Sequence, residues 1–169
     1  LIDNEISNVK KGLKGQIIFK LNSFTSYRFV DKLYEASKLG VQIKLLVRGI
    51  CCLIPGKVKY SKNITVKSVV DKYLEHSRVY VFENGGDKKV FISSADLMTR
   101  NVEKRVEVAC PIYQEDIKDQ VLETLKISDN DNVKTRLINY KIQNKFEDNS
   151  KQKIRSQWDT YYYFNNILD

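Results

Sequence analysis

Apolar runs and an apolar stripe alternate over the first part of the chain. The run QIIFKL at 16–21 and the run VQIKLLV at 41–47 each predict a buried strand. Between them lies a predicted helix, with candidate N-caps at Ser23 and Thr25 and a terminating Gly40. Its apolar residues recur at helical spacing: Phe29, Val30, Leu33 and Tyr34. This order of elements predicts a βαβ unit with parallel strands and a right-handed crossover.

The next segment is predicted to be a loop followed by a helix. Residues 48–64 contain two glycines and a proline, which are typical of loops. A helix is expected from about Thr65 to residues 75–77, because the apolar residues there form a single stripe. The stripe consists of Val66, Val69, Val70, Tyr73 and Leu74.

A hairpin, a further strand and a further helix are predicted next. Residues 78–82 alternate as a strand, NGGD at 84–87 predicts a turn, and 88–93 should return as the hairpin partner. The run RVEVACPIY at 105–113 predicts another strand, and 114–127 predict a helix. The expected fold class is therefore α/β, with a mixed, mostly parallel sheet flanked by helices.

The last part of the chain is predicted to extend this domain. We expect residues 1–125 to form the main unit and 126–169 to be an extension belonging to the same domain. Residues 128–150 are polar and expected to be loop-rich, whereas 151–167 predict a docked amphipathic helix. The apolar side chains of that helix are Ile154, Trp158, Tyr161, Tyr162 and Phe164.

The composition suggests a folded chain with an anionic partner. Hydrophobic residues at 42% exclude a wholly disordered chain, and no apolar run is long enough for a transmembrane helix. Lys and Arg number 29 against 21 Asp and Glu, a formal net charge of +8. Such a balance favours nucleic acid, phosphates or a membrane surface as partner, with ordinary solvated surface charge as the alternative.

The cysteines and the chain start carry further expectations. Cys51, Cys52 and Cys110 lack the spacing of a disulfide framework or a zinc site. They favour a reducing cytosolic setting and small buried side chains. The chain begins at Leu1 and its single methionine is Met98, so we expect a piece of a longer polypeptide.

Polar side chains lie where the first two strands should end. Lys20 and Asn22 belong to the end of the first strand, and Arg48 follows the second. Ligands of α/β sheets bind beyond the carboxyl ends of parallel strands, so these groups should converge on one crevice. Arginine offers a planar fork for phosphate oxygens and lysine a point charge. The alternative is that both cations simply end strands in water.

The single histidine, His76, is the second candidate. At the C-terminal end of the predicted helix, the helix dipole would favour a protonated imidazole. Arg78 would point to the same side if the segment is extended. A histidine beside an arginine suits phosphoryl chemistry, because imidazole can donate to a leaving oxygen or attack phosphorus itself. The alternative is a structural histidine at a helix end.

A third candidate is the polar segment at 93–107. It combines two hydroxyl groups with charged and amide side chains: Asp96, Arg100, Asn101, Arg105 and Glu107. Such a run after a strand can hold phosphates and orient a catalytic histidine. A capped loop with surface ion pairs would have the same composition.

Three long segments carry a family resemblance: LYEASKLGVQIKLLVRGICCLIPG (33–56), VVDKYLEHSRVYVFENGG (69–86) and VFISSADLMTRNVEKRVEVACPI (90–112). Together they closely resemble the C-terminal part of the bacterial, histidine-phosphorylating polyphosphate kinase family, which has a phospholipase-D-like fold. The sequence KLNS at 20–23 fits the same family. The resemblance extends over roughly residues 1–125.

The resemblance implies reversible transfer of the terminal phosphate of ATP to a growing polyphosphate chain, with ADP as the other nucleotide. It implies Mg²⁺ in the full enzyme, with the magnesium ligands and the phosphorylated histidine upstream of Leu1 and no metal ligand in this chain. The chain resembles the second of two related C-terminal domains. It would therefore supply half of an active site and be inactive alone.

The same resemblance implies roles for individual residues. Arg48 and His76 match positions that contact the nucleotide's phosphates, and His76 would act as a phosphate ligand or general acid/base. Lys20, Asn22 and Arg78 would complete the ATP and phosphate site. Supporting roles are implied for Asp96, Arg100, Asn101, Arg105 and Glu107.

The resemblance also implies partners and location. ATP, polyphosphate and the upstream domains of the same polypeptide are expected partners, in a homo-oligomeric full enzyme that does not bind nucleic acid. The location implied is the cytoplasm, with peripheral association at the inner membrane left open.

Two other functions remain open at this point. A phospholipase-D-like phosphodiesterase or nuclease could pair two half-sites by dimerising, but that superfamily uses His-x-Lys, and this chain has His76-Ser77-Arg78. A non-enzymatic binder of nucleic acid or polyphosphate would rest on net charge alone, and its binding would weaken steeply with salt.

Overall fold

The computed structural model describes residues 1–141, 143, 145–147 and 152–168 of the chain. Within them, eight strands form one sheet in the order β6-β5-β4-β1-β2-β3-β7-β8. The strands are β1 (Gln16–Leu21), β2 (Gln42–Val47), β3 (Ile64–Val69), β4 (Val79–Phe82), β5 (Lys89–Ser93), β6 (Ala109–Ile112), β7 (Thr135–Ile138) and β8 (Lys145–Phe146). The helices are α1 (Ile2–Lys10), α2 (Tyr27–Lys38), α3 (Thr99–Lys104), α4 (Glu115–Asn130) and α5 (Ser156–Leu168).

The predicted βαβ unit is confirmed. Strands β1 and β2 pair in parallel, from Gln16 opposite Gln42 to Leu21 opposite Val47. The predicted N-cap of α2 is wrong, because the cap is Ser26, in extended conformation and without a side-chain cap hydrogen bond. Ser23 and Thr25 instead flank Phe24, which bridges to Cys51 and Leu97 and so continues the extended chain past β1.

The sheet is mixed, as expected, but parallel pairing does not dominate among the described strands. Only β1 with β2 and β2 with β3 pair in parallel. The other five pairings are antiparallel. The hairpin of β4 and β5 is confirmed, with a 3-10 turn at Asn84–Gly86 between them. From β1 outward on the hairpin side, the strands therefore alternate in direction: β4 and β6 run opposite to β1, and β5 runs with it.

The helix predicted from Thr65 is wrong. Residues Ile64–Val69 form strand β3 between β2 and β7, and an irregular segment follows up to β4. Val66 is 2% exposed in the sheet, whereas Tyr73 and Leu74 are 58% and 71% exposed. The run of β-branched residues therefore formed a strand, and the apparent stripe joined buried strand residues to exposed loop residues. We call residues 70–78 the histidine loop.

Helices cover the sheet on both faces. On one face α1 and α2 pack over a core that includes Ile17, Phe19 and Leu21. On the other face Leu125 of α4 packs against Leu46 and Val81. Alternate residues of β1 thus point to opposite faces, and Lys20 lies on the α4 side with Leu46.

The C-terminal part is more ordered than its polar sequence suggested. Helix α4 is confirmed and runs through residue 125 to Asn130, and β7 and β8 lie within the stretch expected to be loop-rich. Positions 142, 144, 148–151 and 169 lie outside the described residues.

The predicted last helix is α5, which packs against α4. Its aromatic side chains are only partly covered: Trp158 is 37% exposed and Tyr161 is 59% exposed. The residues expected to form an apolar docking face therefore remain largely in solvent.

Candidate functional site

The ends of β1 and β2 form one side of a small cleft. Lys20 lies opposite Leu46 in the parallel register, so the residues that follow each strand meet at the same sheet edge. Asn22 and Arg48 are directly connected there, because Arg48 Nε donates to Asn22 Oδ1 at 2.6 Å. The predicted convergence of Lys20, Asn22 and Arg48 is therefore what the structure shows. We call this the strand-end cleft; it is also lined by Glu75, Ser77 and Ser128.

The guanidinium group of Arg48 is fixed at one nitrogen and open at the other two. Arg48 Nε is shared between Asn22 Oδ1 and the Glu75 carbonyl oxygen, the latter at 2.5 Å. Within the described part of the chain, neither Nη atom donates a hydrogen bond. Asn22 Nδ2 is buried and has no hydrogen-bond partner among the described residues. The two Nη atoms can therefore receive an anionic oxygen without breaking an existing contact, and Asn22 Nδ2 is an unpaired donor buried beside them.

Glu75 places a carboxylate in the cleft. One oxygen pairs with Lys20 Nζ, and the other accepts from Gln157 Nε2 at 3.0 Å. Burial raises the pKa of Glu75, but the charge and hydrogen bond of Lys20, the hydrogen bond of Gln157 and the charge of Arg48 together hold it below its usual range. Lys20 is thus an ion-paired cation, with its side chain 15% exposed.

His76 lies on the histidine loop next to Glu75. Its side chain is exposed, and its imidazole makes no hydrogen bond to the described residues. The helix expected to end here does not exist, so the helix-dipole argument for a protonated imidazole is wrong. Arg78 Nη1 donates to the His76 carbonyl oxygen at 3.2 Å, which connects the predicted pair through the backbone.

Asp96 supports the turn that follows β1. Its Oδ1 accepts from the backbone N–H groups of Asn22 and Ser23, at 2.7 and 3.2 Å. Its Oδ2 accepts from Arg78 Nη2 at 3.2 Å. Asp96 is 6% exposed, so a buried ion pair holds both Asn22 and the residues beside His76.

The rest of the predicted polar segment lies elsewhere. Glu107 accepts from Asn101 Nδ2 at 2.6 Å and from the Ser94 hydroxyl, and these hydrogen bonds lower the pKa of Glu107. Asn101, Arg105 and Glu107 line a wide groove on the α2 face. Arg100 is exposed, and its side chain makes no hydrogen bond or ion pair with the described residues. The segment at 93–107 therefore divides between two places, with only Asp96 beside the cleft.

Sequence reasoning missed three residues that contact the cleft or its loop. Glu75 and Ser77 flank His76, and their position beside a candidate histidine was an available signal. Gln157 reaches the loop from α5, 82 positions along the chain from Glu75. No local pattern marks that contact.

Among the described residues, no three His, Cys, Asp or Glu side chains are grouped so that they could hold a metal ion. Cys51 is partly buried, which raises its pKa to about 11, but Cys52 and Cys110 are exposed rather than buried as expected. No described helix has the length and apolar character needed to cross a membrane.

Sequence comparison connects this geometry to a family. A family model described as "Polyphosphate kinase C-terminal domain 2" matches residues 1–157. The polyphosphate kinase of Escherichia coli (strain K12) is 46% identical over 168 residues, 99% of this chain and 24% of that protein. The polyphosphate kinase of Halalkalibacterium halodurans is 50% identical over 159 residues, 93% of this chain and 23% of that protein. The chain spans about a quarter of the length of these curated relatives.

Solved structures agree. The polyphosphate kinase from Porphyromonas gingivalis superimposes with a TM-score of 0.95 at 42% identity, covering 98% of this chain and 26% of that one. The phospholipase D family member Nuc from Salmonella typhimurium superimposes with a TM-score of 0.56 at 19% identity, covering 80% and 88%. The latter likeness shows the phospholipase-D-like fold alone. Because the family model covers nearly the whole chain, the chain belongs to the polyphosphate kinase family and corresponds to its second C-terminal domain.

Proposed function

We propose that this chain supplies the phosphate-binding half of a polyphosphate kinase active site, working with domains that precede it in a longer polypeptide. The observation that carries the proposal is the set of unpaired donors at the strand-end cleft of the described structure: both Nη atoms of Arg48 and the buried Nδ2 of Asn22. Donors already held in place stabilise phosphate charge without reorganising, which is the main requirement of phosphoryl transfer.

Arg48 is the central phosphate ligand in this proposal. With Nε fixed by Asn22 and the Glu75 carbonyl, the fork of two Nη atoms can bind two oxygens of one phosphate group. Asn22 Nδ2 adds a neutral donor beside it. Lys20 contributes positive charge, offset by its ion pair with Glu75.

His76 faces the substrate from the histidine loop. Its imidazole is free of internal hydrogen bonds in the described structure and can donate to a phosphate oxygen of the nucleotide. The reaction breaks the bond between the terminal phosphorus of ATP and its bridging oxygen and forms a P–N bond to a histidine upstream of this chain. ADP leaves in this first step with the bridging oxygen. In the second step a terminal oxygen of polyphosphate bonds to the phosphorus, the P–N bond breaks, and the free histidine is restored.

Substitution of His76 in the full-length kinase tests the proposal. His76→Ala should lower ATP-dependent polyphosphate synthesis by about 10²-fold or more while the melting temperature stays unchanged. Lys59→Ala is the matched control, because it removes an exposed cation that does not line the cleft. Near-normal synthesis by the His76 variant would overturn the assignment.

The isolated 169-residue chain distinguishes the competing function. In the proposal it makes no polyphosphate, because half of the site is missing. Phosphodiesterase activity of the isolated chain that depends on dimer formation would instead favour a phospholipase-D-like hydrolase. The Arg78 side chain, engaged with Asp96 where that superfamily has lysine, argues against this outcome.

A further inference from the structure

The histidine loop lacks a sheet partner of its own. It connects β3, which ends at Val69, to β4, which begins at Val79, and no helix or strand is formed between them. Its apolar side chains face solvent, with Leu74 71% exposed. Such a segment would sample many conformations unless side chains from elsewhere hold its backbone.

Gln157 of α5 holds the middle of this loop. Its Oε1 accepts from the backbone N–H of Tyr73 at 2.9 Å, and its Nε2 donates to the Tyr73 carbonyl at 2.7 Å. One amide side chain therefore satisfies both backbone groups of Tyr73, as a neighbouring strand would. The same Nε2 reaches Glu75 Oε1 at 3.0 Å, one residue before His76.

Arg155 holds the beginning of the loop. Its Nε and Nη2 donate to the two oxygens of Asp71, both at 2.7 Å, in a bidentate pair. The Asp71 side chain is 2% exposed. The hydrogen bonds from Arg155 hold the pKa of Asp71 below its usual range, so the pair is charged at neutral pH.

The start of α5 is itself fixed to the end of α4. Asp131 is fully buried, and its Oδ1 accepts from three successive backbone N–H groups, those of Val133, Lys134 and Thr135. Its Oδ2 accepts from the N–H of Ser156 at 2.7 Å. Asp131 therefore connects the first residue of α5 to the segment that follows α4. This connection fixes the position from which Arg155 and Gln157 bind the loop.

We propose that Gln157 and Arg155 are positioning residues of the kinase, which hold the histidine loop, and with it His76, beside the strand-end cleft that Glu75 and Ser77 line. The inference rests on the proposed function of the strand-end cleft. The C-terminal extension would thus contribute to catalysis by holding the histidine loop in position, although neither the Gln157 nor the Arg155 side chain would touch substrate.

The test compares α5 variants of the full-length kinase. Gln157→Ala should lower kcat for polyphosphate synthesis by about 10-fold to 10²-fold and change the KM for ATP much less, because a misplaced group costs mainly in the transition state. Hydrogen exchange of loop peptides should accelerate by about 10-fold or more, while exchange in β1 stays unchanged. Asn165→Ala is the matched control, an exposed amide of the same helix that makes no hydrogen bond to the described residues.

A graded pair of substitutions adds a second readout. Arg155→Lys keeps the charge but loses the bidentate geometry, so its kcat and loop exchange should fall between those of the parent and Arg155→Ala. A cooperative thermal unfolding transition confirms that each variant is folded, even where loss of the Arg155–Asp71 pair lowers the melting temperature.

The outcomes separate the two proposals. Unchanged loop exchange in Gln157→Ala would overturn the holding role. Faster loop exchange with an unchanged kcat would show that the contact is merely structural. If His76→Ala is active, the proposed function fails, and the exchange data still decide whether α5 holds the loop.

Discussion

The strand-end residues and the histidine loop face the same cleft but are held in place by different means. Lys20, Asn22 and Arg48 follow from the register of two adjacent parallel strands, which are buried and paired on both sides. His76 belongs to an irregular segment whose backbone is held by side chains more than 80 positions away. The position of the strand-end residues is thus set by the sheet, whereas the position of the histidine loop is set by long-range polar contacts.

This difference separates two kinds of sensitivity. Substitutions on the strand-end side should remove phosphate ligands or damage the sheet edge. Substitutions at the residues that hold the histidine loop should leave the sheet intact, but they should change the order of the loop and the position of His76.

Arg48 should be the most sensitive residue for activity. In the full-length kinase, Arg48→Ala removes both open Nη donors, so polyphosphate synthesis should fall by about 10²- to 10³-fold. Arg48→Lys should recover little, because a point charge cannot replace the fork. Steady-state rates of polyphosphate synthesis at saturating ATP provide the measurement. A rate loss smaller than about 3-fold would contradict a role for Arg48 as the central phosphate ligand.

Asp96 should be the most sensitive residue for stability at the cleft. Asp96→Ala leaves Arg78 and the N–H groups of Asn22 and Ser23 without their acceptor, at a cost of about 3 kcal/mol in unfolding free energy. Asp119→Ala, an exposed carboxylate in mid-helix, should change it by less than about 0.5 kcal/mol. Urea unfolding of the chain measures both, and equal losses would refute a structural role for the Asp96 pair.

Acid should release the histidine loop before the sheet. The folded pKa values of Asp71 and Glu75 lie below their ordinary values of 3.8 and 4.5. Their stabilisation is therefore fully present above about pH 5 and lost as pH falls through the folded values. The groups facing them are Arg155 and Lys134 for Asp71, and Lys20, Arg48 and Gln157 for Glu75.

The backbone N–H resonance of Tyr73, followed by NMR from pH 7 to pH 2, reports this release. It should stay constant near neutral pH and move only in the acid range, whereas Phe19 in β1 should not follow it. In Glu75→Gln the part of the transition due to Glu75 should disappear. A transition centred near neutral pH would disprove the assignment to these carboxylates.

Leu74 should be the least sensitive of the apolar residues once taken for a helical stripe. Leu74→Ala should change the unfolding free energy by less than about 0.5 kcal/mol, because this side chain is 71% exposed. Leu46→Ala, in β2 and 5% exposed, should cost about 3 kcal/mol. Urea unfolding of the two variants makes the comparison. A large loss of unfolding free energy in Leu74→Ala would instead favour a helix whose apolar stripe, including Leu74, packs in the core.

The strand-end side was largely predictable from the sequence. Short apolar runs marked β1 and β2, and the rule that ligands bind beyond parallel strand ends brought Lys20, Asn22 and Arg48 together. The hairpin and α4 followed from turn residues and helical spacing, which depend on neighbours within a few positions. These features are local, so the sequence determined them, and the resemblance of the long motifs determined the family.

Only the tertiary structure decided the rest. The spacing of apolar residues after Thr65 is compatible with both a strand and a helix. Pairing with β2 on one side and β7 on the other made the first part of this segment a strand. The polar run at 93–107 connects β5 to β6 and is divided by its tertiary contacts: Asp96 bonds to the turn after β1, whereas Glu107 bonds to Asn101. The hydrogen bonds of Arg155 with Asp71 and of Gln157 with Glu75 join residues more than 80 positions apart. Local sequence patterns cannot predict such bonds, because they form only when distant elements meet in the folded chain.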